Sequence, residues 1–247
     1  MHYTKLGENG KELLILHGWM QSSINLLPLA KLLSKNFQVY LVDLPGFGKS
    51  PMINKNPKTS DYVEAVKKFI NEKKIKPNLL GHSFGGKISV KFSSLYPEML
   101  DNKLILIGTP GLPQKVAIWK VIRKYFIKYF GKVLRIIDAI VRTKLFDNLI
   151  VKNFGSRDYK NAGSLRGLLV QTINEDLTKF ASIIQKDTLI ICGKKDHECP
   201  PSQAVKYNEL IINSKLKLLP YHNHFPFEDV GSHLMTKIIS EFMDDKQ

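Results

Sequence analysis

The chain has 247 residues, 43% apolar, 10% aromatic and 24% charged, which supports a buried core and excludes a mostly disordered or collagen-like polypeptide. That length suits a single α/β domain or two smaller ones. The net charge of +15, from 37 Lys+Arg against 22 Asp+Glu, suits nucleic acid, an anionic membrane or an acidic partner, but a lysine-rich composition alone also produces it.

The first residues, through Lys11, hold at most one strand (Met1–Leu6) and no apolar h-region, and Leu13–Leu16 is too short for a signal peptide. No run reaches the ~18–20 apolar residues of a membrane span. Cys192 and Cys199 are too few for a disulfide framework or a four-cysteine zinc site and fit a reducing compartment. A soluble, cytoplasmic protein is expected.

Short apolar runs predict strands at Glu12–Leu16, Gln38–Val42, Asn78–Leu80, Lys103–Ile107, Thr188–Cys192 and Leu216–Leu219. Several are apolar throughout, as in parallel strands covered on both faces. Helical patterns lie between and after them, at Ile24–Ser34, Ser60–Glu72, Gly86–Tyr96, Ser202–Ile211 and Gly231–Met243. Alternating strands and helices imply βαβ units, hence an open, mostly parallel α/β sheet with helices on both faces. From Gly111 to Phe180 the pattern is helical only, with loops near Gly155–Ser156 and Asn161–Gly163. The expected division is a core of 1–110 and 181–247 with a helical cap inserted at 111–180. That insert carries 14 Lys+Arg against 5 acids and all five arginines, so it holds nine of the fifteen net charges.

Gly81-His82-Ser83-Phe84-Gly85 fits G-x-S-x-G between a short strand and a helix start. That strand–turn–helix order is the setting of a nucleophile elbow, in which the serine hydroxyl is exposed on a strained turn. A serine hydroxyl needs a base held by a third group, and in this architecture the order along the chain is Ser, acid, His. Asp196, just past the strand ending at Cys192, is the acid candidate. Glu198 competes, and Asp187 lies at the wrong end of the strand. His224, in the loop before the last helix, is preferred as base over His222 because Phe225-Pro226-Phe227-Glu228 can fix its loop. Backbone N–H groups of Phe84 and Trp19 are the expected oxyanion donors, with Met20 the near alternative to Trp19. Met20, Trp119 and Phe225 are expected to line the substrate pocket. Asp43-Leu44-Pro45-Gly46-Phe47-Gly48-Lys49-Ser50 lacks the spacing of a phosphate loop and reads as a turn, Asp43 bonding to backbone. No spacing suggests a metal or cofactor.

His-Gly-Trp after a strand, Asp-Leu-Pro-Gly-Phe-Gly-Lys-Ser, Gly-His-Ser-Phe-Gly-Gly, Gly-Lys-Lys-Asp and His-Phe-Pro-Phe-Glu together resemble the α/β-hydrolase superfamily over residues 12–110 and 185–245. The resemblance implies Ser83, Asp196 and His224 as a triad beneath a cap. Asn223 stands where the family commonly has glycine before the histidine, which leaves His222 in contention. Ser83 stands where haloalkane dehalogenases, similar in pattern, carry aspartate, and this argues against dehalogenation. The expected activity is therefore hydrolysis of carboxylic esters or thioesters. A C–C bond hydrolase or a non-catalytic binder of the same fold is the alternative. Lys120, Lys124, Lys128 and Lys132 recur every four residues and form a basic stripe on one helix, whose other faces are apolar. That helix reads as a cover over an acyl pocket with a solvated outer face. It also suits an acidic carrier protein or an anionic lipid, and the first two motifs resemble the pimeloyl carrier-protein methyl ester esterases. Aromatic platforms for nucleic acid are absent.

Overall fold

Two strands open the chain and strand and helix then alternate as far as Ile107 in the computed structural model, which describes residues 1–114, 118–143, 145 and 157–245, with the backbone alone for 118–128, 131, 157 and 159. In chain order the elements are β1 (Tyr3–Leu6), β2 (Glu12–Leu16), α1 (Ser23–Leu33), β3 (Gln38–Val42), α2 (Thr59–Lys73), β4 (Asn78–His82), α3 (Phe84–Leu95) and β5 (Lys103–Ile107). Helices α4 (Ile118–Val141), α5 (Arg157–Asn161), α6 (Arg166–Asn174) and α7 (Thr178–Ala181) follow. The chain then returns through β6 (Asp187–Gly193), α8 (Pro201–Leu210), β7 (Ser214–Leu219) and α9 (Gly231–Asp244). The predicted strands and helices of the core are all present, within three residues at each end.

The seven strands form one sheet in the order β1-β3-β2-β4-β5-β6-β7, parallel throughout except that β1 runs antiparallel to β3. The uniform apolarity of β2, β3 and β5 has the cause the sequence suggested, because alternate residues feed two separate cores. Leu14, Leu16, Val42, Leu104 and Leu106 meet residues of α2, α3 and α8, including Val66, Ile88 and Tyr207. Leu13, Ile15, Leu41, Ile105 and Ile107 meet α1 and α9 through Leu29, Leu33, Met235 and Ile239. The last strand, β7, lies at the sheet edge and alternates between half-buried and exposed as far as Leu218. At the opposite end of the sheet from the strand tips, Asp187 pairs with Lys103 at 3.0 Å, both nearly buried. That pairing removes Asp187 from contention as a catalytic acid.

Both ends of the insert are tied to the core by buried and part-buried polar contacts. Glu175 Oε1 accepts from Lys91 Nζ at 2.6 Å and Thr59 Oγ1 at 2.7 Å, while Lys87 Nζ donates to the Thr172 carbonyl. Gln203 Oε1 accepts from the N–H groups of Gly111 and Leu112, at 3.1 and 2.9 Å. Leu165, Leu168, Leu177 and Ala181 join the core itself. Helix α4 differs. Tyr129, Val133, Ile136 and Ile140 are exposed, and Leu134 is the only buried one of its described side chains. Over this half of the helix the apolar stripe therefore faces solvent, where the sequence suggested a face turned inward. The expected loop at Gly155–Ser156 lies outside the described residues. Among those described, no helix is long and apolar enough to cross a membrane.

Candidate active site

Ser83 sits between β4 and α3 with φ 51° and ψ −111°. A non-glycine residue in that region is strained and persists only where its surroundings over-determine it. Here they do. The Ser83 N–H donates to Ile107 O at 2.9 Å and the Gly85 N–H to His17 O at 3.0 Å, fastening the turn to the tips of β5 and β2. Any Cβ at Gly81 would lie 2.5 Å from Gly85 O, and one at Gly85 would run into the Leu16 carbonyl. Glycine two places either side of the serine is thus a packing requirement. Ser83 is half-buried, and its side chain has no hydrogen-bond partner among the described residues.

Asp196 and His224 meet at the same rim. The imidazole Nδ1–H donates to Asp196 Oδ2 at 2.7 Å, and the side chains are 5% and 1% exposed respectively. Asp196 Oδ1 accepts from the N–H groups of Glu198 at 2.9 Å and Cys199 at 2.7 Å, so the carboxylate is fixed from both ends. The loops carrying the two residues are joined by Lys195 N–H to His222 O at 3.0 Å. His222 Nδ1 itself is buried without a partner among the described residues, and Asp196 pairs with His224. Glu198 lies on the other side of the ring, its Oε2 3.6 Å from Nε2. With Nδ1–H held by Asp196, Nε2 is the ring nitrogen able to accept a proton. No hydrogen bond joins Ser83 to His224 in this structure. Such bonds are often long before substrate binds.

His82 is the residue that sequence reasoning passed over. Its Nε2–H donates to the His224 carbonyl at 3.0 Å and its ring stacks 4.8 Å from that of His224, so the residue beside the nucleophile positions the base. Its Nδ1 lies 2.9 Å from Gln21 Oε1, and burial lowers its pKa to about 3. His17 has the corresponding role in the neighbouring loop. Its Nδ1–H donates to Gly18 O at 2.8 Å and its Nε2 accepts from the Leu44 N–H at 2.9 Å. Burial lowers its pKa to about 4. A histidine next to the elbow serine was the only available signal, and it does not by itself separate a scaffold from a turn.

Trp19 follows in that loop, its ring edge-on to Phe47 and Phe84 at 5.5 and 5.6 Å. The backbone N–H groups of Trp19 and Phe84 have no acceptor among the described residues. Met20, at φ 54°, is half-exposed. Phe225 stacks edge-on against His224 at 5.1 Å and packs on Phe227. The side chain of Trp119 lies outside the described residues. Asp43 bonds to backbone as expected, accepting from Ser23 N at 2.7 Å and Lys49 N at 2.9 Å. Burial pushes its pKa up, but these donors outweigh that and hold it below the ordinary carboxylate range. Burial raises both cysteine thiols, Cys192 to about 12, so neither is a thiolate nucleophile at neutral pH. No group of three His, Cys, Asp or Glu side chains among the described residues could hold a metal ion.

A sheet of this order with a strained serine turn and a buried carboxylate–imidazole pair at the strand tips defines an α/β hydrolase. The sequence profile of the family described as "alpha/beta hydrolase fold" matches residues 12–139, and the chain belongs to that family and is a hydrolase. It is 34% identical over 252 residues to the 2-hydroxy-6-oxononadienedioate/2-hydroxy-6-oxononatrienedioate hydrolase of Escherichia coli O81 (strain ED1a), covering 91% of this chain and 84% of that one. It is 24% identical over 239 residues to the pimeloyl-[acyl-carrier protein] methyl ester esterase of Aliivibrio fischeri (strain MJ11), covering 91% of each. Among solved structures, an esterase from Exiguobacterium antarcticum shares the fold with a TM-score of 0.73 at 24% identity, over 98% of this chain and 95% of that one.

Proposed function

We propose that the protein hydrolyses carboxylic esters or thioesters of small to medium apolar acyl groups through Ser83, His224 and Asp196. The observation that carries this reading is the 2.7 Å bond between the buried Asp196 carboxylate and His224 Nδ1, at the rim that also bears the strained Ser83. With Nδ1–H held by the carboxylate, Nε2 takes the Ser83 proton as the hydroxyl attacks the carbonyl carbon. The N–H groups of Phe84 and Trp19 receive the oxyanion, a contribution worth ~2.7–4 kcal/mol per donor in comparable sites. His224 then protonates the departing alcohol or thiol and activates water against the acyl-enzyme. Residues 111–180 serve in this reading as the cap over the acyl group, their C-terminal part held to the core through Glu175, Lys91 and Thr59. A carrier-protein-bound acyl chain is the finer substrate reading. It rests on the whole-chain likeness to the carrier-protein methyl ester esterases and on the basic stripe, of which Lys132 is exposed.

C–C bond hydrolysis is the second reading, favoured by the 34% identity to the dienedioate hydrolase. The test is fluorophosphonate labelling combined with turnover of p-nitrophenyl esters from C2 to C12. A single adduct at Ser83, activity falling by ~10³-fold or more in Ser83→Ala with unfolding unchanged, and a preferred chain length are expected. A folded protein with no adduct and no turnover defeats the proposal.

A further inference from the structure

Glu198 has a placement that the proposed chemistry does not use. Its N–H is held by Asp196 Oδ1 at 2.9 Å, so its backbone position is set by the same carboxylate that orients His224. Its side chain is 62% exposed, with Oε2 3.6 Å from His224 Nε2. Among the described residues that carboxylate has no other ionic or hydrogen-bond partner. The neighbouring Lys195 ammonium lies over the Tyr221 ring at 5.8 Å. Nε2 is the nitrogen that hands a proton to the leaving group, so whatever departs from the acyl carbon does so within reach of Glu198.

We infer that Glu198 is a specificity-determining residue of the leaving-group side. It favours esters whose alcohol carries a positive charge or hydrogen-bond donors, and it repels alcohols that carry a carboxylate. This inference rests on the serine-hydrolase reading above. The +15 charge of the whole chain opposes a cationic substrate only at long range. At physiological ionic strength fields beyond ~8 Å are largely screened, while a contact of ~5 Å is not. A unit charge at ~5 Å from a carboxylate in a water-like dielectric changes affinity about fourfold.

The experiment compares kcat/KM for the choline and 3,3-dimethylbutyl esters of one fatty acid, a cation and its neutral isostere. The constant kcat/KM reports every step through acylation, in which the alcohol leaves. The choline-to-dimethylbutyl ratio is expected to fall about fourfold in Glu198→Gln and further in Glu198→Lys, and to shrink in wild type as salt is raised. A ratio unchanged in both variants overturns the inference. An equal loss on both esters also overturns it, since Glu198 then acts through the imidazole. A wild-type protein that turns over neither ester and leaves Ser83 unlabelled overturns the hydrolase mechanism and this inference with it.

Discussion

The hydrogen bonds around Asp196 make Asp196→Asn a sharp test of how the imidazole is held. Two backbone donors, the N–H groups of Glu198 and Cys199, point at Oδ1 from 2.9 and 2.7 Å. An asparagine must place its carbonyl oxygen there, because an NH₂ facing two donors forfeits about 1–3 kcal/mol for each. The NH₂ then takes the Oδ2 position, 2.7 Å from His224 Nδ1. Nδ1 has to accept, the ring proton moves to Nε2, and the nitrogen that should receive the Ser83 proton is already protonated. Loss of the correct tautomer alone is expected to lower kcat by ~10⁴-fold, about 5 kcal/mol of transition-state stabilisation. The number of hydrogen bonds is unchanged, so thermal unfolding should hardly move. By contrast Asp196→Ala strips the acceptor from three donors and should cost several kcal/mol at ~1–3 each. Turnover of a p-nitrophenyl ester at pH 8 and a melting curve decide the matter. Asp196→Asn with kcat within tenfold of wild type and unaltered stability would refute the tautomer argument.

The remaining predictions concern packing, pH and charge. Gly85→Ala puts a methyl group against the Leu16 carbonyl and 2.7 Å from His17 O; the elbow must shift, and urea unfolding should show a loss of about 1–3 kcal/mol together with lost activity. Burial lowers the Lys87 pKa from 10.5 to about 8. Between those values the unfolded chain binds more protons, so the contribution of this depressed base is full above pH 10.5 and lost as pH falls through 8. Wild type should therefore gain on Lys87→Met by up to about 3 kcal/mol in urea titrations run from pH 7 to pH 10.5; a constant difference would exclude the effect. Reversing Lys120, Lys124 and Lys128 to glutamate should raise KM for a carrier-linked ester and leave that for the free ester alone, and steady-state kinetics with equal changes on both would remove the carrier from consideration.

The sheet was legible because its strands are covered on both faces. Lys103–Ile107 and Glu12–Leu16 read as strands in the sequence and are strands of those lengths in the structure. Position relative to strand ends was equally readable, so Asp196 stood out from Asp187 before any geometry was known. What stayed hidden depends on contacts between residues far apart in the chain. Nothing near His82 announces that its ring will reach residue 224, 142 positions on. Likewise Lys91, Thr59 and Glu175 carry no local pattern, and their convergence exists only after α2, α3 and the end of α6 have packed. In α4 the period was readable, but which side of the helix meets the core was not, because an amphipathic period gives the stripe and not its partner.

The two neutral histidines give the molecule a particular way of failing in acid. Both prefer the uncharged form when folded, with pKa values of about 4 and about 3 against 6.5 for a free ring. As the medium drops below 6.5 the unfolded chain gains protons that the native one refuses, and the balance tilts toward denaturation. Yet the rings themselves keep their bonds to Gly18, Leu44 and residue 224 until far lower pH. Acidification therefore leaves these two rings in place in every molecule still native and shrinks the native population instead.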